Sequence, residues 1–122
     1  MQTSELIARF ETATADQQRE LLSEAWLAIN GPSPGLWNDG FSEWIERKAI
    51  FDTLLDAEAY ESAALTLVPA DWHLSLNGVN DSWHATINDT RFGKAGFETG
   101  YAPTPALAIV IARLRARNEG EA

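Results

Sequence analysis

The side chains best suited to chemistry in this chain are two imidazoles and two hydroxyls, spaced as His73-Leu74-Ser75 and His84-Ala85-Thr86. A neutral imidazole accepts a proton and an imidazolium gives one, so paired histidines beside hydroxyls suit acid–base work on a substrate with charged oxygens. Period-two alternation places both motifs on one face of a β-hairpin. Trp72, Leu74 and Leu76 alternate with His73, Ser75 and Asn77; Trp83, Ala85 and Ile87 alternate with Ser82, His84, Thr86 and Asn88. With Gly78 to Asp81 as the loop, Asn77 pairs with Ser82, Ser75 with His84 and His73 with Thr86. The imidazoles then become diagonal neighbours, about 7 to 8 Å apart at the backbone. Gly96 and Gly100 would floor this face for a small ligand or a partner strand. The plainer expectation is a wet strand face, for which Ser, Thr, Asn and His are ordinary.

No metal site is expected. Two histidines on adjacent strands need a third ligand, and only Glu98, Asp71 or Asp89 is near in sequence. The absence of cysteine excludes disulfides, thiolate metal sites and cysteine nucleophiles. Gly93-Lys94-Ala95-Gly96 lacks the spacing of a phosphate-cradling loop, so no nucleotide cofactor is expected.

The second candidate site is electrostatic. Net charge is −9, and residues 1 to 61 carry 12 acidic against 4 basic side chains, whereas residues 62 to 122 carry 6 against 5. Such a surface repels phosphate backbones, so nucleic acid is not an expected partner, while a protein with a basic surface is. Trp37 and Trp44 lie beside Asp39, Glu43 and Glu46. An indole fills a pocket and the carboxylates steer association, so these five residues form the candidate binding surface within residues 36 to 61. Against this stands burial: Leu36 and Trp37 are apolar enough to pin the loop to the domain. Trp26, Trp72 and Trp83 fall on apolar stripes and are expected in the core.

The elements that must position these groups follow from periodicity and caps. Leu6, Ile7 and Phe10 mark a first helix. Thr14 with Gln17 reads as a capping box ahead of a second, whose stripe is Leu21, Leu22, Ala25, Trp26 and Ile29 and whose end is Asn30-Gly31-Pro32. Residues 31 to 40 read as a loop. Helical spacing resumes with Trp44, Ile45, Ile50, Phe51, Leu54 and Leu55, then Ala59, Ala63, Ala64, Leu67 and Val68, with a break near Asp56 to Glu58. After the hairpin, Phe97, Thr99 and Tyr101 suggest a third strand. Thr104 and Pro105 start a last helix whose stripe is Leu107, Val110, Ile111 and Leu114. Arg113, Arg115 and Arg117 near its C-terminal end are favoured there by the helix dipole.

The expectation is one α+β domain over residues 1–122. Residues 1–30 form N-terminal helices, 31–40 a loop, and 41–118 a helix, a three-stranded antiparallel sheet and a C-terminal helix. The helices pack on one sheet face of the α-β-β-β-α unit. No run of about 18 apolar residues and no leader with a cleavage site is seen, so neither a membrane span nor export is expected, and a cytoplasmic setting is.

Three segments carry a resemblance. Ser4-Glu5-Leu6-Ile7-Ala8-Arg9 with Ala25-Trp26-Leu27-Ala28-Ile29-Asn30 is the first; Ala63-Ala64-Leu65-Thr66-Leu67-Val68-Pro69 leading into Trp72 is the second. The third is Ala102-Pro103-Thr104-Pro105-Ala106-Leu107-Ala108 leading into Leu114-Arg115-Ala116-Arg117. Together they resemble a group of small accessory proteins of tailed bacteriophages and prophages, over most of the chain except about residues 31 to 58. The resemblance implies action in a bacterial host cytoplasm, without an enzymatic activity to carry over. A non-enzymatic protein that binds a host or phage protein is therefore expected, for example one that blocks a host defence or DNA-handling enzyme by presenting carboxylates in place of phosphates. A structural role in phage assembly is an alternative.

Two further resemblances are narrower. The α-β-β-β-α order is similar to the double-stranded-RNA-binding domain in topology, but Ala102 to Ala106 and Gly78 to Asp81 hold no cation where that family contacts RNA. The His-x-Ser and His-x-Thr motifs resemble those of two-histidine phosphoesterases. That implies a phosphoester-binding or enzymatic alternative using His73, Ser75, His84 and Thr86.

Overall fold

The computed structural model describes residues 3–70, 72–88 and 97–121 and shows the expected α+β class. Helix α1 (Thr3–Glu11) is followed by a 3-10 turn (Ala15–Gln17), α2 (Gln18–Asn30), α3 (Phe41–Asp56) and α4 (Tyr60–Leu65). Strands β1 (His73–Val79), β2 (Ser82–Asn88) and β3 (Phe97–Ala102) then form an antiparallel sheet in the order β1-β2-β3, and α5 (Pro105–Glu121) completes the fold.

Helix α5 organises the core. Its cap is Thr104, whose Oγ1 accepts a hydrogen bond from the Leu107 N–H at 3.3 Å and donates to Gln18 Oε1 at 2.9 Å, so the cap also clips α5 to α2. Every residue from Ala106 to Ala112 is at most 1% exposed, and Leu114 is fully buried. A helix apolar on all sides is an interior helix, so the single stripe expected from Leu107, Val110, Ile111 and Leu114 was too narrow. The sheet covers one side of α5, and α1, α2 and α4 cover the rest. Arg113 is half-buried rather than solvated: its Nε donates to the Leu67 carbonyl at 2.7 Å, and its guanidinium lies 4.8 Å from the Trp72 ring centre. Arg115 reaches Glu11 at 3.2 Å, and the Arg117 side chain lies outside the described residues.

The sheet meets α5 at Gly100. A Cβ there would stand 2.4 Å from the Ala108 carbonyl oxygen, 2.8 Å from the Ala112 nitrogen and 2.9 Å from Ile111 Cβ. Only a residue without a side chain lets the two backbones come this close. Gly100 pairs with buried Ala85, and Ala102, two residues on, shares that inner face. The expected use of Gly100 as the floor of the polar face is thus corrected, because it lies on the opposite face; Gly96 is outside the described residues.

The N-terminal helices bury Leu6, Ile7 and Phe10 of α1 and Leu21, Leu22, Ala25 and Trp26 of α2. Gln17 caps as expected, its Oε1 accepting from the Thr14 N–H at 2.9 Å. Arg9 pairs with Glu24 at 2.8 Å, and the hydrogen bond to Glu24 raises the pKa of the guanidinium. Helix α3 is tied to α2 at both ends, by Trp44 Nε1 donating to the Gly31 carbonyl at 3.0 Å and by Arg19 Nη1 donating to the Leu55 carbonyl at 3.0 Å. The break after Asp56 is a helix terminus: Glu58 N–H bonds the Leu55 carbonyl and Ala59 N–H the Leu54 carbonyl, with Glu58 at φ 58°. That is the pairing of a Schellman cap, in a position that favours glycine.

Between its tethers α3 is largely uncovered. Phe51 and Leu55 are its buried residues, whereas Ile45 and Ile50, expected on its buried stripe, are 46% and 58% exposed. Trp26, Trp44 and Phe51 pack together, with centroids 5.4 Å and 6.2 Å from Trp26.

Two substitutions test this account in urea denaturation. Gly100→Ala should lower stability by about 2 kcal/mol or more, because α5 must lift from the sheet. Glu58→Gly should raise it by about 1 kcal/mol, by relieving the left-handed cap position.

Candidate functional site

The hairpin is tighter than expected, and that changes the histidine face. Asn80 and Asp81 have φ of 48° and 63°, so they form a two-residue turn of the type that needs positive φ at both central positions. Val79 pairs with Ser82, Asn77 with His84, Ser75 with Thr86 and His73 with Asn88. Gly78 belongs to the strand, and a Cβ on it would press on the Trp83 ring at 3.1 Å. The register therefore differs by two residues from the expected one. A shift of two keeps every side chain on its face but moves the histidines apart: His73 stands four residues along β1 from Asn77, the partner of His84. The backbone separation becomes about 13 Å or more.

The two indoles of the hairpin do turn inward. Trp72 and Trp83 are partly buried and pack against the core, with Leu74 and Leu76, while Ala85 and Ile87 are fully buried. His73 and Ser75 are exposed. His84 is partly covered because Tyr101, its partner on β3, stacks on it with centroids 4.4 Å apart and planes 7° from parallel. Thr86 Oγ1 lies 3.4 Å from His84 Nε2. The structure thus joins His84 with Thr86 and Tyr101 and leaves His73 apart. Tyr101 was missed as a member of this face because its place depends on the β2–β3 register, which periodicity does not give. Among the described residues no three His, Asp or Glu side chains are placed to hold a metal ion. Asp71, Asp89 and the Glu98 side chain lie outside them.

The acidic surface is organised around the loop before α3. Its hydrogen bonds are its own: Asn38 Oδ1 accepts from the Gly40 N–H at 2.8 Å and Asn38 N–H donates to Gly35 O at 3.1 Å. Trp37 does not pin the loop down, correcting that expectation, because it is 96% exposed and Leu36 is 73% exposed. Gly31 and Gly35 at φ 84° and 96° let the chain turn without a hydrophobic anchor. Asp39, Glu43 and Glu46 are exposed and make no ion pair among the described residues. By contrast Glu11, Glu24, Asp52 and Asp56 are each paired with a cation. Trp44 is half-buried in the Trp26 cluster, so it supports the surface instead of belonging to it.

Sequence reasoning passed over Arg47 and placed Ile50 on the buried stripe of α3. They line a cavity of about 220 Å³ with Trp26, Asn30, Phe51 and Thr66. The signal available for Ile50 was its place on the same face as Glu43 and Glu46, three and four residues apart along a helix.

Comparison with protein-family models, with curated proteins and with solved structures finds no match.

The His84 and Tyr101 stack carries a direct test. In NMR spectra Tyr101→Ala should move the His84 ring proton resonances downfield by removing the ring current and lower stability by about 1 kcal/mol. His73→Ala should leave the His84 resonances in place.

Proposed function

We propose that this chain is a non-enzymatic interaction protein that binds a partner of basic surface through Leu36, Trp37, Asp39, Glu43 and Glu46. The observation that carries the reading is a tryptophan almost wholly in water, close in the chain to exposed carboxylates that make no ion pair among the described residues. Burying such an indole removes on the order of 200 Å² from water, a gross gain of about 5 kcal/mol, so its exposure in the free chain is an unspent source of affinity. The carboxylates raise the association rate with a basic surface and disfavour acidic ones. Self-association through the same face would bring like charges together in a chain of net charge −9, which favours a different protein as the occupant.

The resemblance to phage and prophage accessory proteins supports a host or phage protein as that partner, in the bacterial cytoplasm. A DNA-handling or defence enzyme fits the chemistry, since unpaired carboxylates along α3 would occupy sites shaped for phosphates. A role in phage assembly would instead show as a defined oligomer.

The experiment is affinity capture from infected bacterial cells with the wild-type chain, a Trp37→Ala variant and a triple variant Asp39→Asn, Glu43→Gln, Glu46→Gln. Both variants should lose the captured protein while their stability stays within about 0.5 kcal/mol of wild type, as for surface substitutions. Trp44→Ala should instead lower stability by about 3 kcal/mol. Undiminished capture by both surface variants would contradict the reading.

A further inference from the structure

The cavity between α2, α3 and the end of α4 has a chemistry distinct from the acidic face. Its wall includes Trp26 and Phe51, which are 3% and 1% exposed, and the more open Ile50. Two of its polar residues already donate to backbone carbonyls: Asn30 Nδ2 to Trp26 O at 3.1 Å and Thr66 Oγ1 to Ala63 O at 2.6 Å. Arg47 does not: its guanidinium, on an exposed residue, has no acceptor among the described residues. An unpaired arginine is notable in a chain with 18 acidic and 9 basic side chains, the more so because Glu43 and Glu46 share its helix.

We propose that this cavity binds a short apolar carboxylate, with the carboxylate on Arg47 and the hydrocarbon against Ile50, Phe51 and Trp26. A guanidinium matches a carboxylate with two parallel hydrogen bonds. Glu43 and Glu46 on the same helix disfavour a doubly charged phosphate, so the site selects a monoanion that also contributes apolar contact. The volume of about 220 Å³ lies below the range of about 300 to 1,000 Å³ of drug-sized ligands. The hydrocarbon is thus the size of one branched side chain. Free short-chain acids and the terminal residue of a peptide both present this chemistry.

NMR titration of the full chain, following the Trp26 indole resonance, tests the proposal. The probe 4-methylpentanoate should shift that resonance saturably with Kd on the order of 1 mM, as expected for so few atoms, and at least about fivefold more tightly than 4-methylpentan-1-ol. Arg47→Met keeps the apolar stem and should erase the preference for acid over alcohol. The tripeptide Ala-Ala-Leu separates the two sources: tighter binding than the free acid, lost on amidation of its terminus, identifies a chain terminus, and weaker binding identifies the free acid. The site does not use Trp37 or Asp39, and the triple variant of the acidic face, which removes two negative charges from the helix that carries Arg47, should bind the probe at least as tightly as wild type does. Absence of a saturable shift up to about 50 mM, equal binding of acid and alcohol, or an equal response to inorganic phosphate would overturn the proposal.

Discussion

The structure depends on one close approach, the contact of α5 with β3 at Gly100. Because a Cβ at that position would meet the backbone of α5 at 2.4 Å, the helix lies directly on the sheet, and its remaining sides become available to α1, α2 and α4. One helix thereby serves as the shared core of two layers. The small residues Ala85, Ala102, Ala108 and Ala112 continue the same close fit around Gly100. Bulk is supplied elsewhere, by Phe10, Leu22, Phe51 and Ile109.

A core centred on α5 explains why part of the molecule is left uncovered. Helices α1 and α2 bury a clear stripe against it, while α3 is held mainly at its ends, by Trp44 to Gly31 and Arg19 to Leu55. The loop before α3 and the outer face of the helix then project Trp37, Leu36, Ile45 and Ile50 into solvent among acidic side chains. Packing and charge point the same way here: the apolar groups available for contact sit beside charges that disfavour a second copy. The Trp26, Trp44 and Phe51 cluster packs α3 against α2.

Much of the architecture was legible in residue order. The change of period after Pro69, the Thr104-Pro105 start of α5 and the break near Asp56 to Glu58 all place real boundaries, since each rests on local backbone chemistry. The hairpin register was not legible from glycine alone. Gly78 looked like a turn residue but is a strand residue beneath Trp83, and the positive φ values fall on Asn80 and Asp81, which tolerate them. Total burial of α5 is written in its unbroken apolar run from Ala106 to Ala112, which covers every side of the helix and not one stripe. Exposure of Trp37 was not readable, because hydrophobicity argues for burial and only the tertiary arrangement shows that nothing covers it. For the same reason Arg47 carried no signal: its interest lies in what it fails to contact.

The central claim is a core organised by α5 that leaves residues 36 to 50 as an uncovered face, and native-state amide hydrogen exchange tests it most directly. The account predicts that amides of residues 106–114 exchange slowest, only through global unfolding, while those of the loop before α3 exchange orders of magnitude faster. Strong protection of that loop together with fast exchange in α5 would contradict it.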